Sequence, residues 1–296
     1  MVKNKSKVFV TGHKGLVGSA IVRKLTDRGY KNIITVTKDK LDLRNQKEVF
    51  NFFQKRKIDA VINCAGYTAV DKAEEEALIA QKVNSEGVLN LANALKKVDG
   101  KLIHISTDYV FDGNHSQPYK ESDPVSPIGV YGHTKRAGEL AVLNGSIDAI
   151  VIRTSWLYSV YGNNFVKTML RLGNEKKSIQ VVSDQKGTPT YAKDLAKTCL
   201  DILSDASSTK ISKKGSLYHY SNEGVTSWYD FATAIMEISN IDCKVIPIET
   251  KDYPTQARRP MYSVLDKSKI KSDFKVTIPH WRDSLTNCIK KINHNS

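Results

Sequence analysis

The sequence contains no long hydrophobic run. In its 296 residues no apolar stretch approaches the roughly 20 residues that a membrane-spanning helix needs. The apolar stretch Val8–Val10 near the N-terminus stops at once against Thr11 and Gly12, whereas the apolar core of a signal peptide is longer. The sequence therefore predicts a cytoplasmic protein without a membrane partner.

Cysteine is scarce and scattered. Cys64, Cys199, Cys243 and Cys288 lie far apart and form no Cys-x-x-Cys pair, so the spacing of a zinc site is missing. A chain of this length buries enough apolar surface to fold without cross-links. We therefore expect reduced and mostly buried thiols.

Acidic residues are under-represented, since 45 Lys and Arg stand against 31 Asp and Glu, a formal net charge of +14. Such a balance fits nucleic-acid binding, attraction of a small anion such as a diphosphate, or simply a lysine-rich surface. The basic residues form no long block, and the spacings of helix-turn-helix motifs and zinc fingers are missing. Nucleic acid is therefore disfavoured as a partner.

The first half of the chain alternates short apolar runs with longer helical patterns. This alternation predicts an α/β fold, a Rossmann-like doubly wound parallel sheet covered by helices on both faces. The predicted strands are Lys7–Thr11, Asn32–Val36, Ala60–Ala65, Leu102–Ser106 and Ala149–Arg153, and the predicted helices span 16–28, 46–56, 72–97 and 131–143.

After residue 154 the alternation becomes irregular. We predict a dinucleotide-binding domain over 1–154 and a smaller C-terminal α/β substrate lobe over 155–296, some of whose elements return to the main sheet. A stretch rich in Ser and Lys, 204–216, resembles an exposed linker. Predicted helices of this half span 163–173, 192–203, 227–239 and 281–292, and predicted strands are Ile179–Val182, Ser216–Tyr220 and Lys244–Pro247.

A glycine-rich turn follows the first strand. Gly12, Gly15 and Gly18 permit a tight turn, close backbone approach to a pyrophosphate and close packing of helix on strand. The N-terminus of the next helix then offers free N–H groups to phosphates. The spacing G-x-x-G-x-x-G departs from G-x-G-x-x-G, and a purely structural turn is the alternative. Its place directly after the first strand favours cofactor binding.

The end of the second predicted strand bears on the choice between NAD and NADP. An acidic residue there would bind the ribose 2′-hydroxyl of NAD, but the chain has Lys38, which suits the 2′-phosphate of NADP. A slip of one residue would bring Asp39 into play. The sequence thus favours NADPH and leaves NADH open, while Asp42 and Leu43 are placed to flank the adenine.

A tyrosine and a lysine stand four residues apart at the start of a predicted helix. Tyr131 and Lys135 therefore share a face, and a neighbouring ammonium lowers the pKa of a phenol toward the working range. Thr107, at the end of the fourth predicted strand, is placed to hydrogen-bond a substrate carbonyl while Tyr131 supplies a proton. A chance pair on a solvated helix and a strand-end cap are the alternatives. The order of the three motifs along the chain favours a reductase.

These motifs belong to a broader likeness. The sequence resembles the extended short-chain dehydrogenase/reductase family and, within it, the dTDP-4-dehydrorhamnose reductases, over essentially the whole chain. The segments that carry the resemblance are Ala69–Glu74 (AVDKAE), Ser106–Phe111 (STDYVF), Val130–Lys135 (VYGHTK), Arg153–Trp156 (RTSW), Gly162–Phe165 (GNNF) with Lys167–Met169 (KTM), and Ala257–Pro260 (ARRP).

The resemblance implies a reductase that transfers hydride from NAD(P)H to the 4-keto carbon of a nucleotide-linked 6-deoxyhexose, forming dTDP-L-rhamnose. It implies Thr107, Tyr131 and Lys135 as the catalytic residues. Family members are often homodimers, some with Mg²⁺ at the interface, so a homodimer and Mg²⁺ are expected from the resemblance alone, without assigned metal ligands. Implied cofactor contacts are Gly15, Leu16, Val17, Asp42, Leu43, Gly66, Tyr67 and Thr68, and implied substrate contacts are Thr107, Asp108 and Trp156.

Three alternatives stay open. The segment Gly12–Ile21 is similar to the loop of GDP-fucose synthases, so another nucleotide-linked 4-keto-6-deoxyhexose is one. A dehydratase of the same fold is disfavoured because those enzymes carry Thr-Asp-Glu, whereas position 109 is a tyrosine. A non-catalytic regulatory subunit is the third. Arg258 and Arg259 are expected to bind the substrate diphosphate, or else to pair with surface carboxylates.

Overall fold

The computed structural model describes residues 4–204 and 215–294. Its strands are, in chain order, β1 (Lys7–Thr11), β2 (Asn32–Ile34), β3 (Ala60–Asn63), β4 (Lys101–Thr107), β5 (Asp148–Thr154), β6 (Leu157–Tyr158), β7 (Ser178–Val182), β8 (Lys186–Gly187), β9 (Thr190–Tyr191), β10 (Ser216–His219), β11 (Thr226–Ser227) and β12 (Lys244–Ile248).

The helices have apolar faces that cover the strands. In chain order they are α1 (Leu16–Asp27), α2 (Gln46–Arg56), α3 (Val70–Glu75), α4 (Ala77–Gln81), α5 (Gly87–Val98), α6 (Val130–Leu143), α7 (Phe165–Glu175), α8 (Ala192–Ser204), α9 (Trp228–Ser239), α10 (Ser268–Phe274) and α11 (Trp281–Asn293). Two 3₁₀ turns, Asp108–Val110 and Thr250–Asp252, and one π-helical segment, Lys82–Glu86, complete the set.

A six-stranded sheet in the order β10-β5-β4-β3-β1-β2 forms the centre of the fold, and every neighbouring pair in it is parallel. The predicted Rossmann-like doubly wound sheet is therefore confirmed. The chain runs outward from β1 in one direction to β2 and in the other to β3. This reversal of direction leaves a crevice at the carboxyl ends of β1 and β3, which is where α/β sheets bind ligands.

The two faces of the sheet bury different sets of side chains because successive residues of a strand point to opposite sides. On β1, Val8 and Val10 pack with α1 and α8, whereas Phe9 packs with α2 and α5. All three side chains are fully buried. Burial on both faces explains why the strands read as continuous apolar runs.

A third apolar cluster lies in the C-terminal half, where α7, α9 and α11 pack around the parallel pair β7–β12. This half also returns to the centre: β10 pairs with the edge of β5, and α8 covers the sheet beside α1. The division into 1–154 and 155–296 stays a prediction. Of the predicted linker 204–216, residues 205–214 lie outside the described residues.

The prediction of one helix over 72–97 is wrong. The structure divides this stretch into α3, α4, the π-helical segment and α5. The widened π turn presents Asn84 inward, where its side chain is fully buried and hydrogen-bonded across to other elements. A contact between distant segments thus overrides the local helical pattern, as π-helical turns commonly do near functional sites.

The cysteines are free thiols, as expected: Cys199, Cys243 and Cys288 are buried, and Cys64 is partly so. Across the described ranges, no helix combines the length and apolar character needed to cross a membrane.

Candidate active site

A cavity of about 1020 Å³ opens over the carboxyl ends of the central strands, at the crevice beside β1 and β3. Its walls come from the glycine loop, the loops after β2 and β3, the end of β4, the first turns of α6 and the loops after β5. Predicted site residues that line it are Gly12, Gly15, Leu16, Val17, Lys38, Asp42, Leu43, Gly66, Thr68, Thr107, Asp108, Tyr131, Lys135 and Trp156.

The glycine loop closes one end of this cavity. Gly12 has a φ of +61°, and a Cβ there would lie 2.6 Å from the Cys64 carbonyl oxygen. A Cβ on Gly18 would lie 2.2 Å from the Gly12 carbonyl oxygen, so only glycine lets α1 approach the loop this closely. No side chain caps α1 at Gly15. The first N–H groups of α1 therefore remain available to an anion, which fits a pyrophosphate.

The loop after β2 forms the next part of the wall. Because β2 ends at Ile34, Lys38 and Asp39 lie in this loop, and both line the cavity. The Asp42 carboxylate accepts hydrogen bonds from the Arg44 guanidinium at 2.9 and 2.5 Å, and these bonds lower the pKa of Asp42. Lys38 adds a further cation to this wall.

Asn84 joins the loop after β3 to α6. Its amide oxygen accepts the Tyr67 N–H at 2.8 Å, while its amide nitrogen donates to the Tyr67 carbonyl at 3.1 Å and to the Thr134 hydroxyl at 3.1 Å. These bonds fix the loop that contains Gly66 and Thr68. Sequence reasoning missed Asn84, although a polar residue inside an apolar helical pattern was a signal that could have found it.

Thr107, Tyr131 and Lys135 meet at the centre of the cavity. Thr107 ends β4, and its hydroxyl lies near enough to Tyr131 to lower the pKa of that phenol. Tyr131 and Lys135 lie one turn apart on the first part of α6, and the Lys135 ammonium donates to the Ile105 carbonyl at 2.7 Å. Three residues from two elements thus form one polar centre, as the sequence predicts.

Burial controls the protonation of this centre. It raises the pKa of Tyr131 to about 12, against the opposing effect of the Thr107 hydroxyl. It lowers the pKa of Lys135 to about 8, against the opposing charge of Glu139. The expected lowering of the Tyr131 pKa by Lys135 is not seen: the opposing influence comes from Thr107 instead, and loss of hydration outweighs it. The buried phenol is therefore protonated at neutral pH and able to donate.

A close approach of α6 to the end of β4 sets this geometry. A Cβ on Gly132 would lie 2.2 Å from the Tyr109 carbonyl oxygen, so a larger residue would push the helix away. The Tyr109 ring packs edge-on against the Tyr131 ring with centroids 5.5 Å apart. Position 109, where dehydratases of this fold have a carboxylate, instead supplies a ring that packs against the Tyr131 phenol.

Two buried oxygens at the cavity lack protein partners among the described residues. They are Oδ2 of Asp108 and Oγ1 of Thr154, at the carboxyl ends of β4 and β5. Burial raises the pKa of Asp108 to about 6, although the nearby Ser263 hydroxyl and the hydrogen bond from the Thr107 hydroxyl at 3.0 Å offset part of the effect. Unpartnered buried oxygens are costly unless a ligand satisfies them, and a hydroxylated ligand would do so.

An aromatic surface faces the same region. Trp156 lies directly after β5 with a φ of +47°, a left-handed conformation that is uncommon for a bulky residue. Its ring stacks on Trp228 with centroids 3.6 Å apart, and Phe165 packs behind at 4.7 Å from Trp228. Strained backbone held by surrounding contacts is typical of functional sites.

Four predicted site residues do not line the cavity. Gly18 lies behind the loop, and the Tyr67 hydroxyl donates to Glu76 at 2.5 Å, away from the cavity. Neither Arg258 nor Arg259 reaches the cavity wall. The Arg259 guanidinium instead donates to the Asp71 carboxylate at 2.6 Å, the carboxylate pairing that the sequence left open.

Metal ligands are not grouped in the part of the chain that the structure describes. Within residues 4–204 and 215–294, no three or more His, Cys, Asp or Glu side chains are arranged to hold a metal ion. The described residues of one chain therefore do not form a Mg²⁺ site.

Comparison with known proteins places the chain in a family. The model of the RmlD substrate binding domain matches residues 6–294. The spore coat polysaccharide biosynthesis protein SpsK of Bacillus subtilis is 40% identical over 280 residues, 95% of each chain. The dTDP-4-dehydrorhamnose reductase of Aggregatibacter actinomycetemcomitans is 40% identical over 289 residues, 95% of this chain and 98% of that one.

A solved structure extends the match to three dimensions. The dTDP-4-dehydrorhamnose reductase of Bacillus anthracis, in complex with NADP, is 36% identical and superposes with a TM-score of 0.91, covering 97% of this chain and 99% of that chain. Sequence and fold thus agree along nearly the whole length. The chain belongs to the RmlD substrate binding domain family, the family of the dTDP-4-dehydrorhamnose reductases.

Proposed function

We propose that this protein reduces the 4-keto group of dTDP-4-dehydro-6-deoxy-L-mannose with NADPH, forming dTDP-L-rhamnose. The observation that carries the proposal is the meeting of Thr107, Tyr131 and Lys135 in one cavity with the glycine loop. Relatives at 36–40% identity named as dTDP-4-dehydrorhamnose reductases support the same substrate.

The residues of the cavity fit NADPH. The uncapped start of α1 and the glycine loop would hold the pyrophosphate, and Lys38 would face the 2′-phosphate, as charge complementarity requires. The NADP complex of the Bacillus anthracis relative supports this preference. Bound NADPH supplies the hydride that reduces the sugar C4.

The chain's own residues supply the proton and hold the carbonyl. Tyr131 transfers its phenolic proton to the C4 oxygen, so that ketone, hydride and proton together give the alcohol. Thr107, whose hydroxyl donates to Asp108 in the structure, redirects that hydrogen bond to the same oxygen when substrate binds. The Lys135 ammonium stabilises the phenolate left on Tyr131. The raised pKa of Tyr131 supports reduction because the phenol enters the step protonated.

The substrate's sugar is assigned to the region between β4 and β5. Asp108 and Thr154 offer oxygens without protein partners, suited to sugar hydroxyls, and the Trp156 ring offers an apolar face. The dTDP portion is assigned from the names of the relatives. A homodimer in the cytoplasm stays a prediction, and size-exclusion chromatography with light scattering tests the dimer.

Absorbance at 340 nm tests the proposal directly. Purified protein is given NADPH and dTDP-4-dehydro-6-deoxy-L-mannose, with NADH and the GDP-linked keto-sugar in parallel. We expect oxidation with the dTDP sugar, yielding dTDP-L-rhamnose, and faster turnover with NADPH than with NADH. Activity on the GDP sugar alone would overturn the nucleotide assignment. Binding of NADPH without oxidation of any substrate would favour a regulatory subunit.

A further inference from the structure

A buried ionic cluster lies directly behind the reactive centre. The carboxylate of Glu139, which is fully buried, accepts hydrogen bonds from Arg153 at 2.8 Å on each oxygen. One of these oxygens also accepts the Ser106 hydroxyl at 2.7 Å, and the other accepts Arg136 at 2.8 Å. A single carboxylate thus binds the end of β4, the end of β5 and α6 together.

Ser106 and Glu139 each lie next to a residue that the proposed reaction uses. Ser106 precedes Thr107 in the chain, and Glu139 lies one helical turn beyond Lys135 on the same face of α6. The hydrogen bond between Ser106 and Glu139 therefore spans the two elements that bring Thr107 to Tyr131. A shift of either element would change the separation of the groups that act on the carbonyl.

The cluster holds one carboxylate and two guanidinium groups, of which Arg153 is the buried one and Arg136 is partly exposed. Arg153 is 1% exposed and lies over the Phe111 ring, 5.0 Å from its centroid. Behind it, burial lowers the pKa of His219 to about 3, so this ring is neutral. Although burial by itself raises the pKa of Glu139, hydrogen bonds from Arg153 and its neighbours leave that pKa lowered. Arg153 and Glu139 thus form a buried, fully ionised pair.

Burial of the Lys135 ammonium lowers the pKa of Lys135, while the negative charge of Glu139 raises it. Three of the titratable groups around the ammonium are uncharged at neutral pH: burial raises the pKa of Cys64 to about 12 and lowers that of His104, and Tyr131 is protonated. The charged groups nearby are the two arginines that pair with Glu139, and Asp108, whose pKa of about 6 leaves it mostly ionised, but the charge that raises the pKa of Lys135 most is that of Glu139. From α3, Glu74 contacts only the first turn of α6, at the Val130 N–H. Glu139 is therefore the anion that opposes loss of the proton from Lys135.

We propose that Glu139 is a positioning residue, which holds α6 against the ends of β4 and β5 through Ser106 and Arg153. This inference rests on the proposed function. Glu139 touches neither the substrate nor the cofactor, and it acts through Thr107, Tyr131 and Lys135.

The test compares Glu139→Gln, Glu139→Asp and Ser106→Ala with the wild type. Glu139→Gln removes the charge, so we expect kcat to fall about 10-fold or more and the alkaline limb of its pH profile to move to lower pH. Ser106→Ala removes the hydrogen bond to Glu139 and keeps the Glu139 charge. We therefore expect kcat to fall several-fold while the alkaline limb of the pH profile stays at the wild-type pH. Glu139→Asp should keep the wild-type limb while kcat falls, since the shorter carboxylate loses its partners. In all three variants the Kd for NADPH, from fluorescence titration, should stay within about twofold.

Asp201→Asn provides a matched control for stability. Asp201 is also a carboxylate with two cationic partners, Arg28 at 2.5 Å and Lys197 at 2.9 Å, but it lies on α8 outside the cavity. Its variant should lower the Tm and leave kcat and the pH profile unchanged.

The outcomes separate this inference from the function on which it rests. A wild-type protein that oxidises no NADPH with any sugar defeats the proposed function itself. An active wild type whose Ser106→Ala and Glu139→Gln variants keep kcat within twofold, with the same pH limb, defeats the positioning role. The same holds if Asp201→Asn lowers kcat as much as Glu139→Gln does. Should Glu139→Gln not fold, Ser106→Ala decides: an unchanged kcat overturns the role, and a several-fold loss supports it.

Discussion

Two walls of the cavity are built in different ways. The sheet wall, formed by the glycine loop, Thr107, Tyr131 and Lys135, consists of backbone groups and buried polar side chains on long, regular elements. The aromatic wall consists of rings: Trp156, between β5 and β6, stacks on Trp228 at the start of α9, and Phe165 at the start of α7 packs behind them. The first wall is suited to chemistry that tolerates little displacement. The second offers contact area and can adapt to different sugars.

The largest effect should come from the acid of the sheet wall. Tyr131→Phe removes the phenolic proton and keeps the ring that packs on Tyr109. We expect kcat to fall about 1000-fold, within the usual range for loss of a general acid, while the Kd for NADPH stays within about twofold. Stopped-flow turnover and fluorescence titration measure the two. If reduction continued at more than a tenth of the wild-type rate, another group would have to supply the proton.

The next effect should come from the close approach that the sheet wall requires. In Gly132→Ala the new Cβ would lie only 2.2 Å from the Tyr109 carbonyl oxygen, which is a steric clash. Relief of this clash moves α6, so we expect a loss of about 1–3 kcal/mol in the free energy of unfolding and a fall of kcat well beyond tenfold. His133→Ala, at an exposed neighbouring position on the same helix, should change neither quantity. Urea unfolding and turnover assays distinguish the two variants.

The protonation of Asp108, which directly follows Thr107 of the sheet wall, should affect the stability of the protein. Because burial raises the pKa of Asp108 from 3.8 to about 6, the folded protein binds more protons than the unfolded chain between these values. Its stabilising effect is thus full at low pH and is lost as the pH rises from about 4 to 6, by about 3 kcal/mol at most. Asp108→Asn should remove this dependence, so urea unfolding of variant and wild type should diverge across this window. Parallel curves would mean that Asp108 is ionised in the folded state.

The smallest effect should come from the aromatic wall. Trp228→Ala removes the ring on which Trp156 stacks, a pair worth about 0.5–1.5 kcal/mol. We expect the KM for the sugar nucleotide to rise about 3- to 10-fold and kcat to change little, since the sheet wall is intact. Tyr253→Ala, at an exposed position of the same half, serves as the control. A fall of kcat rather than a rise of KM would place the Trp pair with the catalytic groups.

Elements with a local apolar pattern were predicted from the sequence, whereas elements that depend on pairing between distant segments were not. The strands and helices of the first half follow from local runs of apolar residues, and the helix predicted over 46–56 coincides with α2. The strands β6, β8, β9 and β11 have two residues each and form only where distant segments pair. The helix α10 was likewise missed. Such elements have no local pattern to detect.

The site follows the same rule. Thr107, Tyr131 and Lys135 were predictable because strand ends and helical spacing place them. The partner of Arg259 was not, because the sequence does not reveal that Asp71 lies beside it. Glu139 was missed, although its spacing of four from Lys135 puts it on the same helix face. Burial, rather than spacing, turns that acid into a charge that matters.

The return of β10 to the central sheet has a consequence for biosynthesis. As the chain emerges from the ribosome, β5 is complete at Thr154, yet its outer edge stays unpaired until His219 has appeared. The covering helix α8 also arrives only in this interval. At about 5–20 residues per second, the nascent sheet therefore waits several seconds with one edge and part of one face uncovered. During that interval the unpaired edge of β5 is open to chaperones. A chain whose synthesis stops between α6 and β10 would be an aggregation-prone fragment, because that edge stays unpaired.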